Sequence, residues 1–228
     1  MAFNRPVLKE IQPGERRVAM TPSVATRVRQ LGAGLSLEAD AGIAATFADS
    51  AYGDIHIEKD VGKLAASADV MLAVQPPSVE AISALKPGAI LISFLPDPTN
   101  PELPRALREG RIANFGMDQI PRISRAQAMD ALSSQAALVG YYAPLLGAVH
   151  MPRIVPMMTT AVGSLRAAKV RGMGLGVAGL QAIATAHRLG AITEGYDVRP
   201  EAREQALSLG AKFVDMGGRR ARSGWLCT

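Results

Sequence analysis

The segment GMGLGVAGLQAIATAHRLGAITEGYD, residues 172–197, constrains the fold of this chain more than any other. Its Gly174, Gly176 and Gly179 form the pattern G-x-G-x-x-G, and a strongly helical stretch follows them. The first glycine of such a pattern permits a tight turn, the second lets the backbone approach a pyrophosphate, and the third lets the helix pack on its strand. The phosphates then rest on the free N–H groups at the start of the helix. The pattern predicts a dinucleotide-binding turn, and a glycine-rich turn without a ligand is the alternative.

A second strand, AITEGYD, ends at Asp197, about 20 residues after the glycines. A carboxylate at this position accepts hydrogen bonds from the 2′-hydroxyl of an adenosine ribose, whereas it would repel a 2′-phosphate. Asp197 therefore favours NAD(H) as the cofactor. The segment before the turn, KVRGMG, supports the alternative without a ligand, because Arg171 and Gly172 are poor residues for a buried strand.

The first half of the chain alternates between short apolar runs and helical stretches. The runs LSLEAD, DVMLAVQPP and GAILISFLPDP have the composition of strands, and Pro residues end the last two. Thr21-Pro22 is a good helix start, with a hydroxyl at the cap and a proline in the first turn, and Gly32 is the expected stop. This alternation of strand and helix is typical of a doubly wound α/β domain.

We therefore predict an α/β fold with two Rossmann-like lobes, each with a parallel sheet, joined by a long helix. Residues 1–128 form the N-terminal lobe, and residues 129–165 form the linking helix and a hairpin near Gly163. Residues 166–228 form the NAD(H)-binding lobe, for which the length allows only the first half of a dinucleotide domain.

A polar cluster lies in the stretch PRISRAQAMDALSSQ. Its polar side chains are those of Arg122, Arg125, Gln127, Asp130 and Ser133. If a helix begins near Ser124, the repeated spacing of three places Gln127, Asp130 and Ser133 on one face of it. In a cleft between lobes, such groups could hold a nicotinamide carboxamide and its ribose. A helix cap with a solvated polar face is the alternative interpretation.

Composition and charge argue against several other classes of protein. The net charge is +5, but the basic residues are scattered beside acidic ones, except in the tail that contains Arg219, Arg220 and Arg222, so nucleic-acid binding is not expected. The single cysteine, Cys227, allows no internal disulfide, and no metal-ligand spacing is present, which fits a reducing cytoplasm. There is no apolar signal segment and no run of about 18 apolar residues, so any role at a membrane would be peripheral.

Three segments carry a resemblance to a known family: KEIQPGERRVAMTP, PRISRAQAMDALSSQ and GVAGLQAIATAHRLGAITEGYDVRPEAREQALSLGAKFVD. Together they resemble the NAD(H)-binding alpha subunit of proton-translocating NAD(P) transhydrogenase, from Pro6 to about Asp215. The resemblance implies a soluble, dimeric component that passes hydride between NAD(H) and NADP(H), coupled to proton translocation. NADP(H) would sit on a partner component, beside a membrane-embedded one, and the subunit would lie at the inner face of the cell membrane.

The resemblance also implies roles for particular residues. Around the nicotinamide ring it places Arg122, Gln127, Asp130 and Ser133. On the pyrophosphate it places Gly174, Gly176, Val177 and Gly179, and on the adenosine ribose it places Asp197, Val198 and Arg199. No acid or base is required, because hydride passes directly between the two cofactors. The protein positions the cofactors and excludes water from the site.

Two other functions compete with this one. Alanine dehydrogenase shares the fold and the RRVAMTP element, but it needs a lysine and a histidine where this chain has Gln75 and Pro96, and neither residue can transfer a proton. The other candidate is a truncated relative that folds, dimerises, and binds NAD(H) weakly or not at all. It is suggested by the final stretch MGGRRARSGWLCT, which resembles nothing in the family and fits a frameshifted or artificially ended reading frame.

Overall fold

The computed structural model describes residues 3–94 and 101–215. The chain divides into two compact units, Met1–Asp130 (unit 1) and Ala131–Thr228 (unit 2). Each unit contains a parallel sheet with helices between its strands, which are α-helices except for 3₁₀-helices between the second and third strands of unit 1. A 20-residue helix begins unit 2. The predicted α/β class with parallel sheets is therefore confirmed.

Six parallel strands form the sheet of unit 1. They are β1 (Asn4–Val7), β2 (Gly34–Glu38), β3 (His56–Glu58), β4 (Val70–Leu72), β5 (Ile90–Ser93) and β6 (Ala113–Gly116). Their order across the sheet is β3-β2-β1-β4-β5-β6. The chain thus builds the sheet outward from β1 in one direction and then, from β4, in the other. Ligands of doubly wound sheets bind beyond the carboxyl ends of the strands where this reversal occurs.

Polar side chains cap two of the α-helices described in unit 1. The α-helices described in this unit are α1 (Pro22–Gln30), α2 (Val61–Ala66), α3 (Val79–Ser83) and α4 (Glu102–Glu109). Asp60 and Ser78 cap α2 and α3, because their side-chain oxygens accept the N–H groups of Lys63 and Ala81. Thr21 is the N-cap of α1, as predicted, but its hydroxyl makes no capping hydrogen bond.

Unit 2 begins with helix α5 (Ala131–His150), which runs through Pro144, and continues with an antiparallel pair of strands, β7 (Met158–Thr160) and β8 (Gly163–Leu165). A repeating strand and helix pattern follows. Its elements are β9 (Lys169–Met173), α6 (Val177–Arg188), β10 (Ile192–Tyr196), α7 (Ala202–Ser208) and β11 (Lys212–Phe213). The three strands are parallel in the order β11-β10-β9, and Leu175 and Ile183 lie at the centre of the core.

The strand before the glycine turn forms despite its unusual residues. The Arg171 side chain is exposed and pairs with Glu194 on the neighbouring strand at 2.7 Å, so neither charge is left without an opposite partner. A Cβ on Gly172 would lie 3.0 Å from Cδ1 of Ile183, so the absence of a side chain lets α6 approach the sheet. These two residues therefore do not argue against a dinucleotide-binding domain.

The expected single helix from Ser124 through Ser133 is wrong. Residues Ser124–Met129 form a 3₁₀-helix, and α5 starts only at Ala131. Asp130 lies between them with φ −73° and ψ 86°, which is outside the helical region. The polar residues therefore do not follow one helical face. Within the described residues, no helix combines the length and apolarity that crossing a membrane requires.

Candidate dinucleotide-binding site

The turn after β9 has the geometry that its first glycine predicts. Gly174 has φ +88°, a left-handed conformation that residues with a side chain rarely adopt. Its N–H donates to the carbonyl oxygen of Tyr196 at 2.8 Å, which ties the turn to the end of β10. The chain then reverses direction and enters α6.

The other two glycines of the pattern differ in what surrounds them. A Cβ on Gly179 would overlap the carbonyl oxygen of Gly174, so the first turn of α6 packs directly on the glycine turn. A Cβ on Gly176 would meet no described atom within 4 Å. The space beside Gly176 is therefore open for a ligand, as the role of the second glycine requires.

The start of α6 offers backbone donors to that space. Gly176 is the N-cap residue, and it has no side chain with which to satisfy the N–H groups of the first turn. Val177 follows it and is about half exposed. The first N–H groups of a helix have no partner within the helix, and they carry the positive end of its dipole. The 12-residue helix thus presents an anion-binding end where a pyrophosphate would lie.

Asp197 follows β10 directly and faces the same turn. Its Oδ2 accepts the N–H of Leu175 at 2.7 Å, while Oδ1 accepts the N–H of Arg199 at 2.8 Å. The Asp197 side chain is only 6% exposed, and the Arg199 guanidinium forms an ion pair with it at 3.0 Å. The hydrogen bond from Arg199, with those from the two backbone amides, lowers the pKa of Asp197 to about 2, so the carboxylate is ionised at neutral pH.

The residues after Asp197 were also predicted to contact the ribose. Val198 is largely exposed, and the guanidinium of Arg199 donates to the carbonyl oxygen of Leu175 at 3.2 Å as well as to Asp197. Asp197 and Arg199 therefore lie beside Leu175, which is the residue between Gly174 and Gly176 in the glycine turn. The structure brings the predicted phosphate and ribose residues together at one end of the β9-β10 sheet.

Gly140 of α5 supports this site and was missed by the sequence analysis. A Cβ on Gly140 would overlap the carbonyl oxygen of Ala178 and lie 2.8 Å from Cβ of Gln181. The missing side chain lets α5 lie against the first turn of α6, whose backbone N–H groups are predicted to face a pyrophosphate. A lone glycine inside a helical stretch is a weak signal for close packing, and nothing in the sequence indicates its partner.

The residues predicted to surround the nicotinamide are spread over a 3₁₀-helix, the segments that flank it, and α5. Arg122 precedes the 3₁₀-helix and is exposed, and Gln127 lies within that helix and is exposed. Asp130 follows the helix and is half-buried, whereas Ser133 lies in the first turn of α5 in unit 2. They therefore do not share one helix face.

Unit 1 has a crevice of its own where the strand order reverses. A cavity of about 250 Å³ lies beyond the ends of β1, β2 and β4, and its lining includes Leu8, Glu10, Glu38 and Gln75. Glu10 accepts the N–H groups of Val74 and Gln75 at 2.6 and 3.0 Å and so holds the loop after β4. Burial raises the pKa of Glu10 above its ordinary value.

Gln75, which lines this cavity, also belongs to a polar network with Glu15 and Arg17. Its amide donates to Glu15 at 2.9 Å, and Arg17 makes two hydrogen bonds to the same carboxylate at 2.8 and 2.6 Å. The bond from Arg17 lowers the pKa of Glu15 to about 2. Pro96, the other position compared with alanine dehydrogenase, lies outside the described residues. A carboxamide does not titrate near neutral pH, so Gln75 cannot supply the proton transfer that amino-acid oxidation needs.

The fold and the glycine turn define a doubly wound α/β protein with a dinucleotide-binding type of site. Models of the "Alanine dehydrogenase/PNT, N-terminal domain" and "Alanine dehydrogenase/PNT, C-terminal domain" match residues 6–139 and 143–223. The chain therefore belongs to the alanine dehydrogenase/PNT family. The resemblance found in the sequence is confirmed, but the match continues to residue 223, so the limit expected at about Asp215 is wrong.

Relatives named for transhydrogenase are more similar to this chain than those named for alanine dehydrogenase. An NAD(P) transhydrogenase alpha subunit of Rickettsia prowazekii is 44% identical over 213 residues, which are 91% of this chain and 56% of that protein. The structure of a transhydrogenase from Sinorhizobium meliloti matches with a TM-score of 0.88 and 42% identity, covering 93% of this chain and 64% of that one.

The alanine dehydrogenase of Halomonas elongata is more distant, at 28% identity over 190 residues, which are 81% of this chain and 51% of that protein. The chain thus spans little more than half the length of these two curated relatives.

Proposed function

We propose that this chain is the NAD(H)-binding component of an NAD(P) transhydrogenase, in which hydride passes between NAD(H) and NADP(H). The single observation that supports this proposal most strongly is the open space beside Gly176, at the free amides of α6 and next to the ionised Asp197. The 44% identity to a transhydrogenase alpha subunit supports the same function. NADP(H) would be bound by a partner component.

The residues of unit 2 would hold the adenosine half of the cofactor. The backbone N–H groups at Val177 and the following residues bind the pyrophosphate, and Gly174 and Gly179 keep the turn close enough for them to do so. Asp197, with Val198 and Arg199 beside it, binds the ribose. The bound cofactor supplies the hydride, while the protein positions it and excludes water. We propose that Arg122, Gln127, Asp130 and Ser133 orient the nicotinamide end.

Binding of NADH to the purified chain tests this proposal. NADH fluorescence is followed as the chain is added, with NADPH as the comparison, and we expect weak binding that favours NADH. Asp197→Asn should weaken NADH binding more than NADPH binding, because it removes a carboxylate oxygen that would accept the ribose 2′-hydroxyl, a group that NADPH lacks. Equal affinity of the unaltered chain for the two cofactors would contradict the assignment.

Proton-coupled hydride transfer needs the assembled complex. We propose that this chain binds peripherally at the inner face of the membrane, to membrane-embedded and NADP(H)-binding components. Membranes carrying those components and lacking the alpha subunit should regain reduction of an NAD⁺ analogue by NADPH when the chain is added. A chain that binds NADH but restores no transfer would be the non-catalytic relative.

Alanine oxidation is a weaker candidate function. Gln75, which lines the cavity of unit 1, carries a carboxamide that cannot act as an acid or a base near neutral pH. We expect no oxidation of NADH that depends on both pyruvate and ammonia. Such a reaction, measured by loss of absorbance at saturating pyruvate and ammonia, would favour alanine dehydrogenase instead.

We also propose that the chain forms a homodimer. Several large apolar side chains of α5 and of the β7-β8 hairpin are exposed: Leu138, Val139, Tyr142, Leu146, Val149, Met157 and Val162. Apolar patches of this kind mark interfaces more often than free surfaces. Light scattering coupled to size-exclusion chromatography should give twice the 24.0 kDa mass of the chain. Val162→Glu should shift it toward the monomer.

A further inference from the structure

The carboxylate of Asp197 has no acceptor position left for a ribose. Its two oxygens accept four hydrogen bonds, and an ionised carboxylate has about four lone-pair positions. One donor is the backbone N–H of Leu175, and the other three belong to Arg199. These three are its backbone N–H at 2.8 Å, its Nε at 3.0 Å and its Nη2 at 3.1 Å.

The four donors differ in how easily they can leave. The two backbone N–H groups are fixed by the turn and by the chain direction after β10. The guanidinium of Arg199 ends a flexible side chain that is 59% exposed. It is therefore the group that a ribose hydroxyl can displace at the lowest cost, while the backbone donors keep the carboxylate in place.

We propose that Arg199 competes with the adenosine ribose for Asp197 and must leave the carboxylate before the ribose can bind. Arg199 then lowers the affinity of the site for NAD(H) and weakens its discrimination against NADP(H). This inference rests on the proposed NAD(H)-binding function. Within it, Arg199 acts through Asp197 as a specificity-determining residue.

The effect on cofactor choice follows from charge. While the guanidinium covers Asp197, the pair is close to neutral and a 2′-phosphate meets little repulsion. Without the guanidinium, the bare carboxylate accepts a 2′-hydroxyl but repels a 2′-phosphate. Removing Arg199 should therefore improve NADH binding and leave NADPH binding unimproved.

The test compares Arg199→Ala with a matched control, Arg171→Ala. Arg171 lies on β9 of the same sheet, is 54% exposed and pairs with a carboxylate on β10, so its removal changes the charge and breaks an ion pair in the same way. NADH, NADPH and adenosine are titrated against the full chain by calorimetry. Adenosine carries no phosphate, so any attraction between Arg199 and the pyrophosphate does not affect it.

We expect Arg199→Ala to lower the dissociation constants of NADH and adenosine about two- to fivefold, the range that corresponds to an exposed ion pair. Arg171→Ala should leave both unchanged. Arg199→Lys, which keeps the charge but loses the forked geometry, should lie between Arg199→Ala and the unaltered chain. Circular dichroism melting identifies any variant that has not folded.

Each contrary result has a separate meaning. If folded Arg199→Ala and Arg199→Lys both bind adenosine and NADH more weakly, Arg199 holds the cofactor itself, and the competition is overturned while NAD(H) binding stands. If Arg171→Ala improves the binding of NADH and adenosine as much as Arg199→Ala does, the competition is likewise overturned while NAD(H) binding stands. If neither the unaltered chain nor any variant binds NADH or adenosine, the proposed function and this inference both fail.

Discussion

The α-carbon of Gly179 lies so close to the carbonyl oxygen of Gly174 that a Cβ on Gly179 would overlap that oxygen. This contact brings the first turn of α6 against the glycine turn, and it fixes the direction in which the helix amides point. Gly176, between the two, has open space where its Cβ would be. Gly179 therefore serves helix packing, whereas Gly176 leaves room for the proposed pyrophosphate.

We predict different results for alanine at these two glycines. Gly179→Ala should weaken NADH binding and lower the free energy of unfolding by about 1–3 kcal/mol, the usual cost of overpacking. Gly176→Ala should weaken NADH binding by about tenfold or more with little change in stability, because its methyl group would fill the space into which the second glycine admits a pyrophosphate. Urea denaturation and NADH titration measure the two quantities. Unchanged NADH binding in Gly176→Ala would contradict the site.

The contact of Gly140 with Ala178 gives a second prediction. Gly140→Ala should destabilise the protein by about 1–3 kcal/mol and weaken NADH binding, because α5 must move away from the start of α6. Gly147→Ala, in the same helix, is the control, since its Cβ would meet no described atom within 4 Å. It should stabilise the helix by up to about 1 kcal/mol. Equal melting temperatures for the two variants would refute the close packing.

The low pKa of Asp197 predicts a contribution to stability that depends on pH. Its pKa falls from an ordinary 3.8 to about 2 on folding, so the contribution is complete above pH 3.8 and is lost as the pH falls toward 2. Asp197→Asn lacks this contribution at every pH. The difference in unfolding free energy between the two proteins should therefore shrink through this window. Urea denaturation at pH values from neutral down into this window measures it, and a constant difference would show that the carboxylate is not paired.

Glu10 gives a prediction for unit 1. Glu10→Ala leaves the half-buried N–H groups of Val74 and Gln75 without their acceptor, and the loss of each hydrogen bond costs about 0.5–1.5 kcal/mol. We expect a clear fall in melting temperature. Glu10→Gln keeps an acceptor oxygen and should lose less. If both variants melted as the unaltered chain does, the carboxylate would not be holding the loop after β4.

Local patterns in the sequence predicted most of the fold. The proline-ended apolar runs are strands β4 and β5, and the Thr21-Pro22 pair starts α1. The glycine spacing predicted the turn after β9 and its left-handed Gly174. These features depend on steric limits within a few residues, and so they can be predicted from the local sequence alone.

The polar stretch around Asp130 shows where that reasoning fails. A spacing of three suggested one helix, but Asp130 has a non-helical conformation that separates a 3₁₀-helix from α5. A spacing of three or four residues shows that a helix would place the side chains on one face. It does not show that the backbone stays helical throughout the stretch. The roles of Gln127, Asp130 and Ser133 at a nicotinamide therefore remain proposals.

The sequence by itself determined that the chain builds parallel α/β units and that one of them carries a glycine turn followed by an acidic residue. Only the tertiary structure decided that Gly140 lies against Ala178, that Arg171 pairs with Glu194, and that Arg199 saturates Asp197. The physical reason is the separation along the chain over which each interaction acts. Backbone sterics and periodicity act between near neighbours in the chain, whereas packing and hydrogen-bond partners depend on which distant elements the fold brings together.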